Sequence, residues 1–170
     1  LMIDWSHRSE DGPERSLRAY YDRSTRRESV LEGTMEQVDV DFQQHHRLGR
    51  HDLIWGAGYR LTKDDYAGSF TMSMDPAKRD VHLYSGFVQF EFMPVADRVR
   101  LTGGAKVERN TYTGLEVQPG VRAWWSVGDR QSLWAAYAGA ARTPSRAEHD
   151  FRAITSVVQP DSLFTGSPVA

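Results

Sequence analysis

Apolar and polar residues alternate at every second position through most of this chain, and that period predicts β-strands rather than helices. In the clearest case Leu53, Trp55, Ala57, Tyr59 and Leu61 share one parity, while Asp52, Gly56, Gly58 and Arg60 share the other. An amphipathic helix would repeat its apolar positions at i, i+3 and i+4, and these residues do not. The same alternation predicts a strand over residues 1–8, another from Ser16 with Leu17, Ala19 and Tyr21 on one face, and a third from Met35 with Val38, Val40 and Phe42 aligned. Further strands follow over Val81–Phe92, Val99–Asn110, Val117–Val127 and Gln131–Arg142. Beyond Thr143 the period fades into a long loop, with a strand fragment expected around Ile154–Val158.

The breaks between strands are of two kinds. Short turns are expected near 9–14, 48–50, 93–97 and 128–130, and longer loops over 23–34, 62–80, 109–116 and from 142 onward. Several strands reach ten residues or more, against about five or six in soluble proteins, and about nine to eleven tilted residues cross a bilayer. Long strands with short turns at one end and long loops at the other predict an all-β fold: an antiparallel up-and-down transmembrane β-barrel segment, about eight long meander strands of a larger barrel. Pro119, in mid-strand, lacks a ladder donor and predicts a bulge at the barrel rim. A soluble ligand-binding β-sandwich or small barrel, and a porin or adhesin barrel without a plug, are the alternatives.

Composition changes this picture little. No apolar run approaches the roughly 18 residues of a membrane helix, but a transmembrane barrel averages out polar and escapes that test. A formal net charge of −2 gives no basic face for nucleic acid, so no nucleic-acid partner is expected. The absence of cysteine removes disulfides and thiolate metal sites. The chain opens at Leu1-Met2-Ile3 already in strand pattern and stops at Ser167-Pro-Val-Ala170, which suggests a piece of a longer polypeptide.

Candidate chemistry is sparse. His45, His46 and His51 flank a short turn, and the adjacent pair points to opposite faces, so no metal site is expected there. Lys63-Asp-Asp65 and Asp75 lack the spacing of a calcium loop. No nucleophile elbow, HExxH or phosphate-cradling glycine loop occurs, so neither an enzyme nor a cofactor is expected. The polar parity is more informative. Arg100, Lys106, Glu108, Asn110, Gln118, Arg122 and Arg142 would face the lumen or its outer mouth, and Lys106, Glu108, Asn110, Gln118, Arg122 and Arg142 are the ligand-binding candidates. Their bland role is to bond one another, water and a plug. Their functional role is to meet an anionic ligand, where arginine gives bidentate recognition. Trp5, Trp55, Tyr59, Trp125 and Tyr137 fall on the outward parity, as lipid-contact or girdle residues.

Several passages together resemble the barrel of TonB-dependent outer-membrane receptors. They are Leu17-Arg-Ala-Tyr-Tyr-Asp-Arg23, Asp39-Val-Asp-Phe-Gln43, Arg50-His-Asp-Leu-Ile-Trp-Gly-Ala-Gly-Tyr-Arg60, Phe87-Val-Gln89, Lys106-Val-Glu108, Tyr112-Thr-Gly-Leu-Glu-Val-Gln-Pro119, Leu133-Trp-Ala-Ala136 and Arg142-Thr-Pro-Ser-Arg146. The resemblance implies a barrel of about 22 strands with a plugged lumen, of which residues 1–170 would be a mid-barrel part without the plug domain. It further implies a place in the Gram-negative outer membrane, in contact with its lipid and with the plug of the same parent protein. The activity implied is energised uptake of a scarce small ligand, such as an iron–siderophore complex, another metal chelate or cobalamin, driven by the TonB complex through a region N-terminal to this segment.

Overall fold

The computed structural model describes residues 1–9, 12–128 and 130–155. Its strands in chain order are β1 (Met2–Arg8), β2 (Glu14–Arg27), β3 (Leu31–Leu48), β4 (His51–Gly68), β5 (Met72–Met74), β6 (Lys78–Val95), β7 (Val99–Asn110), β8 (Gly114–Gly128) and β9 (Gln131–Ala138). A short helix α1 (Arg146–Asp150) and strand β10 (Phe151–Ala153) follow. Eight strands form one antiparallel sheet in the order β1-β2-β3-β4-β6-β7-β8-β9, an up-and-down meander whose two edges do not meet. Strands β5 and β10 pair separately. The all-β, meandering architecture expected from the alternation is what the chain adopts.

Register places the two parities on two faces across the sheet, apart from shifts near the ends of β6 and β8. Trp5, Leu17, Phe42 and Ala57 form one cross-strand row, and Ile3, Ala19, Val40, Tyr59 and Tyr84 form the next. On the same face Val99 stands opposite Trp125 and Trp125 opposite Leu133, while Val121 stands opposite Tyr137. Among the described residues nothing packs against this apolar face. Among the described residues no hydrophobic side chain is buried, and Val121 and Trp125 remain 59% and 52% exposed. The opposite face carries Asp4, Arg18, Asp39, Asp41, Arg60, Glu91, Lys106 and Arg122. The sheet is therefore a single layer, polar on one side and apolar on the other.

Several expectations need correction. The strands run further than the alternation indicates: β2 and β3 cover most of the loop expected over 23–34, leaving 28–30, and β4 and β6 intrude into the one expected over 62–80. Ion pairs explain this, because Arg23–Glu36 (3.5 Å), Arg27–Glu32 (3.2 Å) and Lys78–Asp65 (2.7 Å) continue the apolar face as charged rows. There both faces are polar and the period vanishes while the ladder persists. Loop 109–116 shrinks likewise to 111–113, where Gly114 supplies a positive φ of 78°. The difference in loop length between the two ends thus survives only between β4 and β6 and after β9.

Pro119 makes no bulge, since Ala105 pairs with it and Gly120 with Ala138 in unbroken register. Instead it ends β9, four residues before the expected Arg142. Its carbonyl accepts from Gly139 N at 2.8 Å. A residue's N and O face the same neighbour in an antiparallel ladder, so the donor Pro119 lacks is the one that would have extended β9. The short turn expected over 93–97 narrows to 96–98, because β6 continues through Pro94 to Val95 with a register shift between Phe92 and Val95. Residues 143–153 are not all loop, for they hold α1 and β10; of the strand fragment expected at Ile154–Val158, residues 156–158 lie outside the described residues.

Candidate functional site

The polar face draws charged groups together across several strands. At its centre Lys106 and Gln118 stand opposite each other across β7 and β8. Two residues along β7, the Glu108 carboxylate receives both: Lys106 Nζ lies 2.8 Å from one oxygen, and Gln118 Nε2 donates to the other at 2.8 Å. Strand alternation puts residues 106 and 108 on one face, and the pairing register brings Gln118 beside them. Glu116, which the sequence reading passed over, faces Glu108 directly, and its Oε2 is buried without a hydrogen-bond partner. The row continues away from this cluster through Ser85 and Gly58 to Asp41 and Arg18, and Arg18 Nε donates to Asp4 at 2.6 Å.

Arg122 lies on the same face but apart from the cluster, opposite Thr102, and makes no ion pair among the described residues. A hollow of about 460 Å³ lies between Lys106 and Arg122. Its floor on the polar side is Gly104, Gly120 and Ala138, and Phe87, Gln89 and Glu91 line one wall. Gly104 belongs there because a Cβ would collide with the Val88 carbonyl oxygen. That volume is within the range of small-molecule sites. The hollow offers one unpaired guanidinium and one lysine already shared with Glu108, an arrangement suited to an anionic group near Arg122.

Asn110 and Arg142 go elsewhere. Asn110 is 7% exposed and organises the β7–β8 turn, accepting from Tyr112 N and Thr113 N at 2.8 and 2.7 Å and donating to Thr113 Oγ1. Arg142 lies beyond β9, largely exposed, and pairs with Glu148. Of the six candidates, Glu108 holds Lys106 and Gln118 together, Arg122 shares their face, Asn110 holds the β7–β8 turn, and Arg142 pairs within the segment that follows β9.

That segment carries a second cluster that the alternation pattern does not reveal. Ser145 caps α1 in a capping box: its N donates to Glu148 Oε2 at 2.8 Å and its Oγ accepts from Glu148 N at 3.3 Å. The signal was present in Ser145-Arg-Ala-Glu148, the S-x-x-E spacing of a helix start. Arg146 lies 3.0 Å from Asp64 on β4 and also bonds Asp150, while Arg79 on β6 lies 3.1 Å from Asp150. Asp64 and Asp150 are among the few buried polar side chains of the described structure. Burial pushes the Asp64 carboxyl above its usual range, and Arg146 only partly opposes it. Burial acts on Asp150 too, but hydrogen bonds from His149 and Arg146 outweigh it and hold that carboxyl below its usual range.

Comparison of the chain with protein-family models, with curated protein sequences and with solved structures finds no match.

Proposed function

We propose that this chain is part of the wall of a transmembrane β-barrel in the outer membrane, of the TonB-dependent receptor type, serving energised uptake of a scarce small ligand. The observation that carries the reading is the uncovered apolar face. On β4 it runs from Leu53 to Leu61, nine residues of strand, and changes at Lys63 and Asp65 to charge. About nine to eleven tilted residues span the hydrocarbon layer, and a barrel's outward band is about 25 Å tall. Lipid covers such a face, whereas a β-sandwich needs a second sheet packed on it. On this reading the polar face is the lumenal one. It would meet the plug of the parent protein, and the hollow between Lys106 and Arg122 would take an anionic part of a ligand such as a metal chelate. The TonB complex would act through the plug-bearing region.

Two measurements on the full-length parent test this. The protein should fractionate with outer membranes and require detergent for extraction. Cells producing it should accumulate a ligand from a panel of ferric chelates and cobalamins, and should lose that accumulation when the proton-motive force is dissipated. A water-soluble, monodisperse parent sinks the membrane reading. Accumulation indifferent to the proton-motive force would leave a passive porin.

A further inference from the structure

Two tryptophans stand side by side on the polar face. Trp124 on β8 is opposite Trp134 on β9, and Arg100 on β7 completes the row from the other side. Trp124 is half-buried and Trp134 is 73% exposed. The apolar face is on the other side of the sheet, so whatever covers that face leaves these indoles uncovered. Exposed aromatic surface set among charges marks a place for a ligand or partner. The neighbouring row is Glu91, Thr102, Arg122 and Ala136. Between the two rows lies a hollow of about 290 Å³, lined by Glu91, Arg100, Thr102, Arg122 and Trp124. It adjoins the hollow beside Lys106, and Glu91, Thr102 and Arg122 line both.

The polar groups of this hollow select the kind of ligand. Glu91 is engaged through both oxygens: Arg100 Nε lies 3.3 Å from Oε1, and Thr102 Oγ1 donates to Oε2 at 3.5 Å. That contact draws the Arg100 guanidinium towards β6. Among the described residues no cation sits over either indole, and neither indole stacks on another ring. Arg122 has no ion pair among the described residues. The hollow therefore offers a donor fork and aromatic faces, with no free acceptor. A saccharide, whose hydroxyls each donate as well as accept, would leave its donors unmet here. A carboxylate only accepts, and a guanidinium holds it through two parallel N–H···O bonds. A flat ring attached to that carboxylate can lie against the tryptophans, since aromatic rings favour offset or edge-on packing. Size agrees, because a cavity of about 150 Å³ accepts benzene. Ala136, opposite Arg122, is small and leaves the space towards Trp134 open.

We propose that Arg122, Trp124 and Trp134 form a subsite for a planar aromatic carboxylate, with the carboxylate on the Arg122 fork and the ring against the indoles. The ligand of the polar face then carries an aromatic ring next to its anionic group. The subsite lies on the β6–β7 turn side of the Lys106 hollow, away from the β7–β8 turn that Asn110 holds. It rests on the reading of Arg122 as the anion-binding residue, and is indifferent to whether lipid covers the opposite face.

Fluorine NMR of para-fluorobenzoate titrated with the full-length parent in detergent micelles tests this. Saturable binding is expected. Arg122→Gln should weaken it about tenfold or more, through loss of a charge-assisted contact. Trp124→Ala and Trp134→Ala should each weaken it about threefold to tenfold. Trp125→Ala removes the neighbouring indole, which lies on the apolar face, and should leave binding unchanged. Cyclohexanecarboxylate, with the same charge but no flat ring, should bind the parent as weakly as para-fluorobenzoate binds the tryptophan variants. Trp134 is exposed on an edge strand, so its variant decides the matter if Trp124→Ala does not fold. Binding indifferent to Trp134→Ala, or equal binding of the two acids, overturns the aromatic subsite. So does an absence of saturable binding, or tighter binding of methyl glucoside than of para-fluorobenzoate. A parent that binds para-fluorobenzoate as described yet is water-soluble loses only the membrane reading. One that fractionates with outer membranes and does not bind it loses only the subsite.

Discussion

Lys63 and Asp80 stand directly opposite each other across β4 and β6, side chains 3.7 Å apart, and the next row on the same face is Leu61 and His82. One step along the strands takes this face from aliphatic and aromatic to charged. On the membrane reading that step is the edge of the hydrocarbon layer. Arginine at Leu61, beside the edge, should therefore cost at most about 1 kcal/mol of folding free energy in lipid vesicles, against about 2–4 kcal/mol near the middle of the band. Urea titration of the refolded protein measures both. Equal costs at Leu61 and Ala57 would remove the edge.

Neighbouring glycines on β7 give a test of the fold itself. A Cβ at Gly104 would meet the Val88 carbonyl oxygen, whereas one at Gly103 meets nothing within 4 Å. Gly104→Ala should destabilise the protein by about 1–3 kcal/mol through backbone displacement. Gly103→Ala should be neutral or stabilising by about 0.4–1 kcal/mol, since it narrows the unfolded ensemble at no steric cost. The same titration reads both variants, and a reversed order would contradict the register of β6 and β7.

Within the polar face, Glu108 is the shared acceptor of Lys106 and Gln118. Glu108→Ala strands a lysine whose side chain is 46% exposed, so water compensates much of the loss and the cost should be about 1 kcal/mol. A double-mutant cycle with Lys106→Met should return a coupling of about 0.5–1 kcal/mol. Ligand binding should respond differently: Arg122→Ala should weaken an anionic ligand at least tenfold while leaving stability within about 0.5 kcal/mol, as for a solvated surface charge. Equal binding by the variant and the parent would remove Arg122 from the site.

Acid should release the α1–β10 segment from the sheet, and the sign differs for the two carboxylates of this contact, Asp64 on β4 and Asp150 on α1. Burial holds Asp64 above the ordinary aspartate value, so it takes a proton more readily docked than free; docking gains as pH falls from that raised value towards about 3.9. Asp150, where His149 and Arg146 overcome burial, is held lower, so its contribution is present above about 3.9 and is lost as pH falls through its depressed value. With Arg79, Arg146, His149 and Tyr112 facing the pair, docking should persist to about pH 4 and fail below it. Protection of the Asp75 and Ile154 amides, corrected for intrinsic exchange, reports this because Asp75 N donates to Asp150 O and Ile154 N to Thr71 O, each across the junction of β5 and β10. Asp150→Asn should cost more protection than Asp64→Asn. Loss of protection already between pH 7 and 5 would contradict the assignment.

The alternation of Leu53 to Leu61 and of Val117 to Val127 made the strands, their faces and the meander readable without coordinates. It could do so because burial of one face, by whatever covers it, imposes a period of two. Where Arg23, Glu36, Lys63 and Asp80 continue the same face, no apolar contrast remains, and only pairing partners reveal the strand. The Lys106–Glu108–Gln118 contact needed the register of two strands, which the Tyr112–Gly114 turn fixes but does not announce. The cluster joining α1 to β4 and β6 is not legible in the sequence because Asp64 and Arg79 lie far along the chain from Arg146 and Asp150; its one local signature is Ser145-Arg-Ala-Glu148.

The central claim is that the apolar face meets lipid and the polar face a lumen. Arginine placed at outward Ala57 or Val121, and at inward Thr102 or Ser126, tests it by folding free energy in lipid vesicles. The account predicts a cost of about 2–4 kcal/mol for the outward pair when near the bilayer middle, and a much smaller one for the inward pair. Indistinguishable costs on the two faces would contradict it.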